Sequence, residues 1–202
     1  MDLSTYNGLQ DAIADYVARD DLEDQIPGFI QLAEVKFARL LCTVDMESAP
    51  TVLTTAADGT AALPVDFVEA RSAMTLGASG RSLTFRSPEE VLVKNGHGVG
   101  GTPYGYTTIG GTFYLLPAGI SPVTLVYQAK FIPLSDDTPS NWLLASHPDI
   151  YLYGALAETK RYTLDQADDW SNLCGAAIQD LQNADLRRRW GRGRMRPAGR
   201  LP

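Results

Sequence analysis

The stretch Tyr104-Gly-Tyr-Thr-Thr-Ile-Gly-Gly-Thr-Phe-Tyr-Leu-Leu116 lies near the middle of a 202-residue chain and decides how the rest is read. Two β-prone runs, Tyr104 to Ile109 and Thr112 to Leu116, flank Gly110-Gly111. Paired glycines supply the positive φ angles of a two-residue turn, so the segment predicts a tight antiparallel hairpin. Toward the N-terminus, Thr51 to Thr55, Thr60 to Leu63, Val68 to Leu76 and Ser82 to Phe85 are further short β-prone runs. Asp58-Gly59, Pro64 and Gly77 to Gly80 separate them as turns. Toward the C-terminus, Pro122 to Phe131 alternates Val123, Leu125 and Tyr127 on one face. Ser87-Pro88-Glu89-Glu90 interrupts the strands with a helix start: Ser as cap, Pro in the first turn, and acids against the helix dipole. Six or seven strands in this region predict a small antiparallel sandwich or barrel-like domain over residues 47–133.

Outside that region the apolar period becomes helical. Leu9, Ala12, Ile13, Tyr16 and Val17 fall on one face between Ser4 and Arg19, and Asp20-Asp21 breaks the pattern. Gln25-Ile26-Pro27 opens a second helix whose stripe is Phe29, Ile30, Ala33, Phe37, Leu40 and Leu41, running to Cys42. Ser146-His147-Pro148-Asp149 has the form of a capping box, followed by Ile150, Tyr153, Gly154, Ala157 and Arg161 on one face. The longest helix is predicted over Leu164 to Arg189, with Trp170, Leu173, Cys174, Ala177, Leu181 and Ala184 as its stripe. The order predicts an α+β fold: a four-helix bundle from two N-terminal helices (residues 1–46) and two C-terminal helices (134–190), with the β-domain inserted between them. Residues 191–202 then form an extended basic C-terminal tail.

Charge is distributed unevenly. Arg187, Arg188, Arg189, Arg192, Arg194, Arg196 and Arg200 lie in the last sixteen residues, which contain no acid. Residues 1–186 hold the other ten Lys and Arg against all 24 Asp and Glu. An acidic body disfavours general binding to nucleic acid or anionic membranes, because like charges repel. The Gly/Pro/Arg-rich tail has almost nothing apolar to bury, so alone it is expected to be disordered and to take shape in a groove on another molecule. Met195, Pro197 and Leu201 are its apolar anchors. No apolar run approaches the ~20 residues of a membrane span, and the first residues lack the basic start and apolar stretch of a signal peptide. Cys42 and Cys174 read as buried reduced thiols inside helices.

Catalytic chemistry is not visible. Gly96-His97-Gly98-Val99-Gly100-Gly101 contains a formal GxGxxG, but it follows a short helix and leads into a strand, the reverse of a dinucleotide fingerprint. His97 and His147 are the only histidines, which excludes a His-rich metal site. Asp20-Asp21 and Asp136-Asp137 read as solvated loop acids rather than acid/base pairs. Tyr104-Gly105-Tyr106 reads as strand packing rather than a base-stacking platform. No enzyme and no cofactor are expected.

Three stretches carry a resemblance: Asp24-Gln-Ile-Pro-Gly-Phe-Ile30; Leu63-Pro-Val-Asp-Phe-Val-Glu-Ala-Arg71 with Gly80-Arg-Ser-Leu-Thr-Phe-Arg-Ser-Pro-Glu-Glu90; and Leu134-Ser-Asp-Asp-Thr-Pro-Ser-Asn-Trp-Leu-Leu-Ala-Ser-His-Pro-Asp-Ile-Tyr-Leu-Tyr-Gly-Ala-Leu-Ala-Glu158. Together they resemble the adaptor, or head-to-tail connector, proteins of tailed bacteriophages, especially short-tailed ones, over about residues 5–190. The resemblance implies a structural virion protein of the phage neck, made in the host cytoplasm. In that family a four-helix bundle carries a β-domain, and twelve copies form a ring beneath the portal dodecamer. A C-terminal extension reaches into the portal, the next tail (nozzle) protein attaches to the other face, and genomic DNA passes through without sequence-specific binding. Carried onto this chain, the portal-docking residues are Arg187, Arg188, Arg189, Trp190, Arg192, Arg194, Met195, Arg196, Arg200 and Leu201. The competing expectation from composition is a nucleic-acid-binding protein that sets the same arginines on phosphates.

Overall fold

A computed structural model describes residues 2–76, 80–98, 100–164 and 167–190. The fold is mixed α and β with antiparallel sheets, and it divides into two units. One runs from Met46 to Lys130, and the other joins the segments on either side of it.

The helical unit contains α1 (Tyr6–Val17), a 3-10 turn (Asp20–Gln25), α2 (Ile26–Leu40), α4 (Trp142–Ser146), α5 (Pro148–Tyr162) and α6 (Asp168–Trp190). The Thr5 hydroxyl accepts the Gly8 N–H at 3.2 Å and starts α1. Pro27 lies in the first turn of α2, as its missing N–H allows. α2 packs antiparallel along α5, since Phe29 meets the Tyr162 ring at 5.4 Å and Phe37 meets Tyr151 at 5.3 Å. Gly154 permits that approach: a Cβ there would lie 2.6 Å from Phe37 Cζ. α6 returns along α5, with Ser171 bonded to Arg161 and the Cys174 thiol 3.8 Å from the Ile150 carbonyl. Leu9, Ile13, Ile30, Leu143, Leu144 and Ile150 are at most 1% exposed and form the middle of this unit.

A buried polar network closes it. Glu34, on α2, is 4% exposed. One carboxylate oxygen accepts the Leu134 N–H at 2.7 Å and the Tyr151 hydroxyl at 2.9 Å. The Asn141 side-chain amide donates to Tyr151 Oη at 2.7 Å and to the Ile132 carbonyl at 2.8 Å, while its oxygen caps α4 through the Leu144 N–H. Burial pushes the Glu34 carboxyl above its usual range, and burial together with the Glu34 charge pushes the Tyr151 phenol far up.

The other unit contains β1 (Thr51–Thr54), β2 (Thr60–Ala62), β3 (Phe67–Thr75), β4 (Thr84–Phe85), α3 (Pro88–Gly96), β5 (Gly105–Ile109), β6 (Thr112–Leu116) and β7 (Pro122–Ala129). These make a three-stranded sheet in the order β1-β7-β3 and a four-stranded sheet in the order β2-β6-β5-β4. Phe113 and Leu115 from one sheet and Val123 and Leu125 from the other share a single apolar cluster, each fully buried. Gly110 and Gly111 have φ of 56° and 79°, which is the turn the central hairpin requires. Ser87 caps α3 at Glu90 N–H. Glu47 bridges Gln128, and the Ser48 N–H reaches the Tyr127 carbonyl at 2.8 Å, so the two ends of this unit lie side by side.

The structure corrects several expectations. β4 pairs with β5 in parallel, not antiparallel, because α3 intervenes as the crossover such a pairing needs. Ser146 is not the cap of α5: it ends α4, and His147 holds the N-cap position without a side-chain bond. Leu164 lies before the last helix with a left-handed φ of 57°, and α6 is described from Asp168. The buried stripe of α6 runs through Cys174, Ile178, Leu181 and Asp185, while Leu173 and Ala184 face outward. α2 stops at Leu40. Beyond it the backbone is extended, so Leu41 and Thr43 turn inward and Cys42 is exposed rather than buried.

Two outcomes test this packing. The raised Glu34 carboxyl favours its neutral form in the folded state. Its contribution is therefore complete below the unfolded-chain value and fades as pH rises through the raised folded value. Glu34→Gln keeps an acceptor and should remove that slope from urea-denaturation stability. Glu34→Ala, which strands the Leu134 N–H and Tyr151 hydroxyl, should cost about 1–3 kcal/mol, more at acidic than at alkaline pH. Gly154→Ala should cost about 1–3 kcal/mol through overpacking against Phe37. An unchanged urea midpoint would refute that close approach.

Candidate docking region at the end of the last helix

The arginine-rich segment begins on α6 as three consecutive residues, so the helix sends each in a different direction. Arg188 makes a two-pronged pair with Asp45, at 2.6 and 2.9 Å. Those bonds hold the Asp45 carboxyl below its ordinary range and push the Arg188 guanidinium up. Arg189 lies along the helix and meets Asp185, one turn back, at 2.5 Å, and also donates to the Cys42 carbonyl at 2.8 Å. Arg187 is exposed and bonds the Asn183 carbonyl at 3.2 Å.

Asp185 is the pivot. It is 4% exposed, and its second oxygen accepts the Val44 N–H at 2.7 Å. One turn earlier, the Gln182 side chain donates to the Leu40 carbonyl at 3.0 Å. The last three turns of α6 are thus fastened to the segment that follows α2. A groove borders this fastening, lined by Leu40, Cys42, Thr43, Gln179, Leu186 and Arg189. The Thr43 hydroxyl in its wall is buried with no hydrogen-bond partner among the described residues.

Of the residues assigned to docking from the sequence, the structure brings Arg187, Arg188 and Arg189 together at the helix end. It gives Arg188 and Arg189 partners within the chain. Trp190 is the last residue of α6. Arg192, Arg194, Met195, Arg196, Arg200 and Leu201 lie outside the described residues. Sequence reasoning missed Asp45, Asp185 and Gln182. The available signal was the spacing of Asp185 and Arg189, which places an acid and a base on one face of a helix. The glycine run starts at Gly96, the last residue of α3, and the next described element is the strand β5, not a helix whose N-terminus could receive a phosphate. Among the described residues, no group of three or more His, Cys, Asp or Glu is arranged to hold a metal ion. No described helix is long and apolar enough to cross a membrane.

The family model described as SU10 adaptor protein matches residues 4–198. No curated protein matches the chain. The chain belongs to the SU10 adaptor protein family, and it is a bacteriophage structural adaptor protein of the virion.

The Asp45–Arg188 pair has a pH signature. A carboxyl held below its ordinary value stabilises the fold above the unfolded value, and that stabilisation is lost as pH falls through the folded value. Asp45→Asn should therefore lower stability modestly at neutral pH, where the pair contributes, flatten part of the acid limb, and leave the two chains alike at low pH. An acid limb identical to the parent chain would show that the pair is not formed.

Proposed function

We propose that this adaptor forms a twelve-copy ring against the portal of a phage head, docks into the portal with its Arg-rich C-terminal segment, and carries the DNA channel onward. The next tail protein attaches to the opposite face of the ring. In this reading the helical unit is a four-helix bundle of α1, α2, α5 and α6, and the two sheets of the other unit pack as a sandwich. The functional parts are residues 1–46 and 134–190 as the bundle, 47–133 as the inserted domain and 191–202 as the docking tail.

The observation that carries this reading is the reach of the family match. It continues past the end of α6 to residue 198, and so takes in six of the seven clustered arginines. The internal pairs divide those arginines by task. Arg188 and Arg189 fasten the helix end, which leaves Arg187, Arg192, Arg194, Arg196 and Arg200, with Trp190, Met195 and Leu201 as apolar contacts, to engage the portal. Twelve extended residues beyond Trp190 span about 40 Å at ~3.3 Å each, enough to cross from one subunit to another. Single exposed arginine pairs are weak, but twelve tails bound to one ring act together. An acidic body also suits the wall of a DNA channel, because it does not hold the phosphates that pass.

Native mass spectrometry of the full chain with its portal ring tests this. Twelve copies on the ring are expected. Deletion of Arg192 to Pro202 should leave helix content and melting unchanged, because the fastening of α6 ends at Arg189, yet abolish docking. Undiminished docking by the truncated chain would overturn the role of the tail. A failure to dock combined with duplex-DNA binding whose log–log salt slope is about −0.9 per phosphate would favour the nucleic-acid reading instead.

A further inference from the structure

We infer that α2 and α6 carry complementary outer faces through which a second copy of this chain docks beside the first. This rests on the ring reading above and names the contact that would build the ring. On α2, Leu32, Val35 and Arg39 are exposed, Leu32 to 53% and Val35 to 42%, although the opposite side of the helix is buried. On α6, Leu173, Ala176 and Asp180 are exposed, Leu173 to 46%. Each set follows the spacing i, i+3, i+7, so each is a single stripe along one helix.

The two stripes match in order. Each begins with a leucine, continues with a smaller aliphatic side chain, and ends seven residues later with a charge. The charges are opposite, and neither Arg39 nor Asp180 makes an ion pair within the chain among the described residues. In the α2 stripe the apolar pair and the cation face solvent together, and in the α6 stripe the apolar pair and the anion do the same.

Direction selects how the stripes meet. α2 and α6 each run antiparallel to α5, the latter because Ser171 meets Arg161 and Cys174 meets Ile150, so they are parallel to one another, and Gln182 and Asp185 join their C-terminal ends. Rotation about an axis along the helices preserves that direction, so α2 of one copy meets α6 of the next in parallel. The parallel register sets Leu32 on Leu173, Val35 on Ala176 and Arg39 on Asp180. Antiparallel placement would strand each charge against a leucine, which is unfavourable. Because the two faces differ, every copy presents one of each, and pairing continues around a ring rather than stopping at two.

Cysteine cross-linking tests the contact. The full chain would carry Val35→Cys and Ala176→Cys, with Cys42→Ser to remove the exposed native thiol, and would be oxidised while bound to the portal ring. A covalent ladder extending beyond dimers is expected. Dimers alone would mean a symmetric contact and overturn the inference. Full occupancy of the portal with no ladder would also overturn it, while leaving the ring reading in place. No binding of the unaltered chain to the portal would overturn the ring reading itself, and this inference with it. Independently, Arg39→Glu should weaken side-by-side assembly about tenfold, and the combination Arg39→Glu with Asp180→Arg should restore it. A double variant no better than the single one would show that these charges do not meet.

Discussion

A carboxylate held away from water, that of Glu34, is the contact on which the helical unit depends. The chain leaves this unit after Asp45 and does not return until Phe131, so its two halves cannot be joined by a short turn. Closing so long a loop costs conformational entropy, and contacts between the halves must offset it. Glu34 supplies one across 100 positions by receiving the Leu134 N–H, and it also accepts the Tyr151 hydroxyl, which Asn141 holds in turn. An acid so placed is tolerated because one oxygen receives two hydrogen bonds. Asp185 does the matching task at the departing side: it receives the Val44 N–H across 141 positions and turns its other oxygen to Arg189. Two buried acids therefore secure the chain where it leaves the unit and where it comes back.

That arrangement explains a division within the arginine cluster that net charge conceals. A run of seven arginines suggests one surface with one task. Two members of the run also serve the fold, since Arg188 and Arg189 are held by Asp45 and Asp185 in a body rich in carboxylates. The helix macrodipole favours the same placement, because cations at the last turn oppose its negative end.

Elements built from local chemistry were legible in the sequence. Gly110-Gly111 announced the hairpin because few other residues take two successive positive φ angles, and Ser87-Pro88 announced α3 because cap and proline act on their own neighbours. Features decided by distant partners were not. Nothing near Glu34 or Asp185 marks either acid as buried, and the polar Asp185 shifted the inward stripe of α6 away from the one that apolar residues alone suggest. β4 has only two residues, too few for periodicity to reveal a parallel partner. Of the candidate site, the arginine cluster was plain from composition. The internal pairing of its helical members was not, because Asp45 lies 143 positions from Arg188.

The bridge between Glu47 and Gln128, with the Ser48 N–H on the Tyr127 carbonyl, has an evolutionary consequence. It brings the first and last residues of the strand-rich unit together, so that unit begins and ends at a single doorway. A module whose termini meet is exchangeable: another sequence with adjacent ends fits the same opening without disturbing the helices. The helical frame and the strand-rich module are thus free to diverge at different rates.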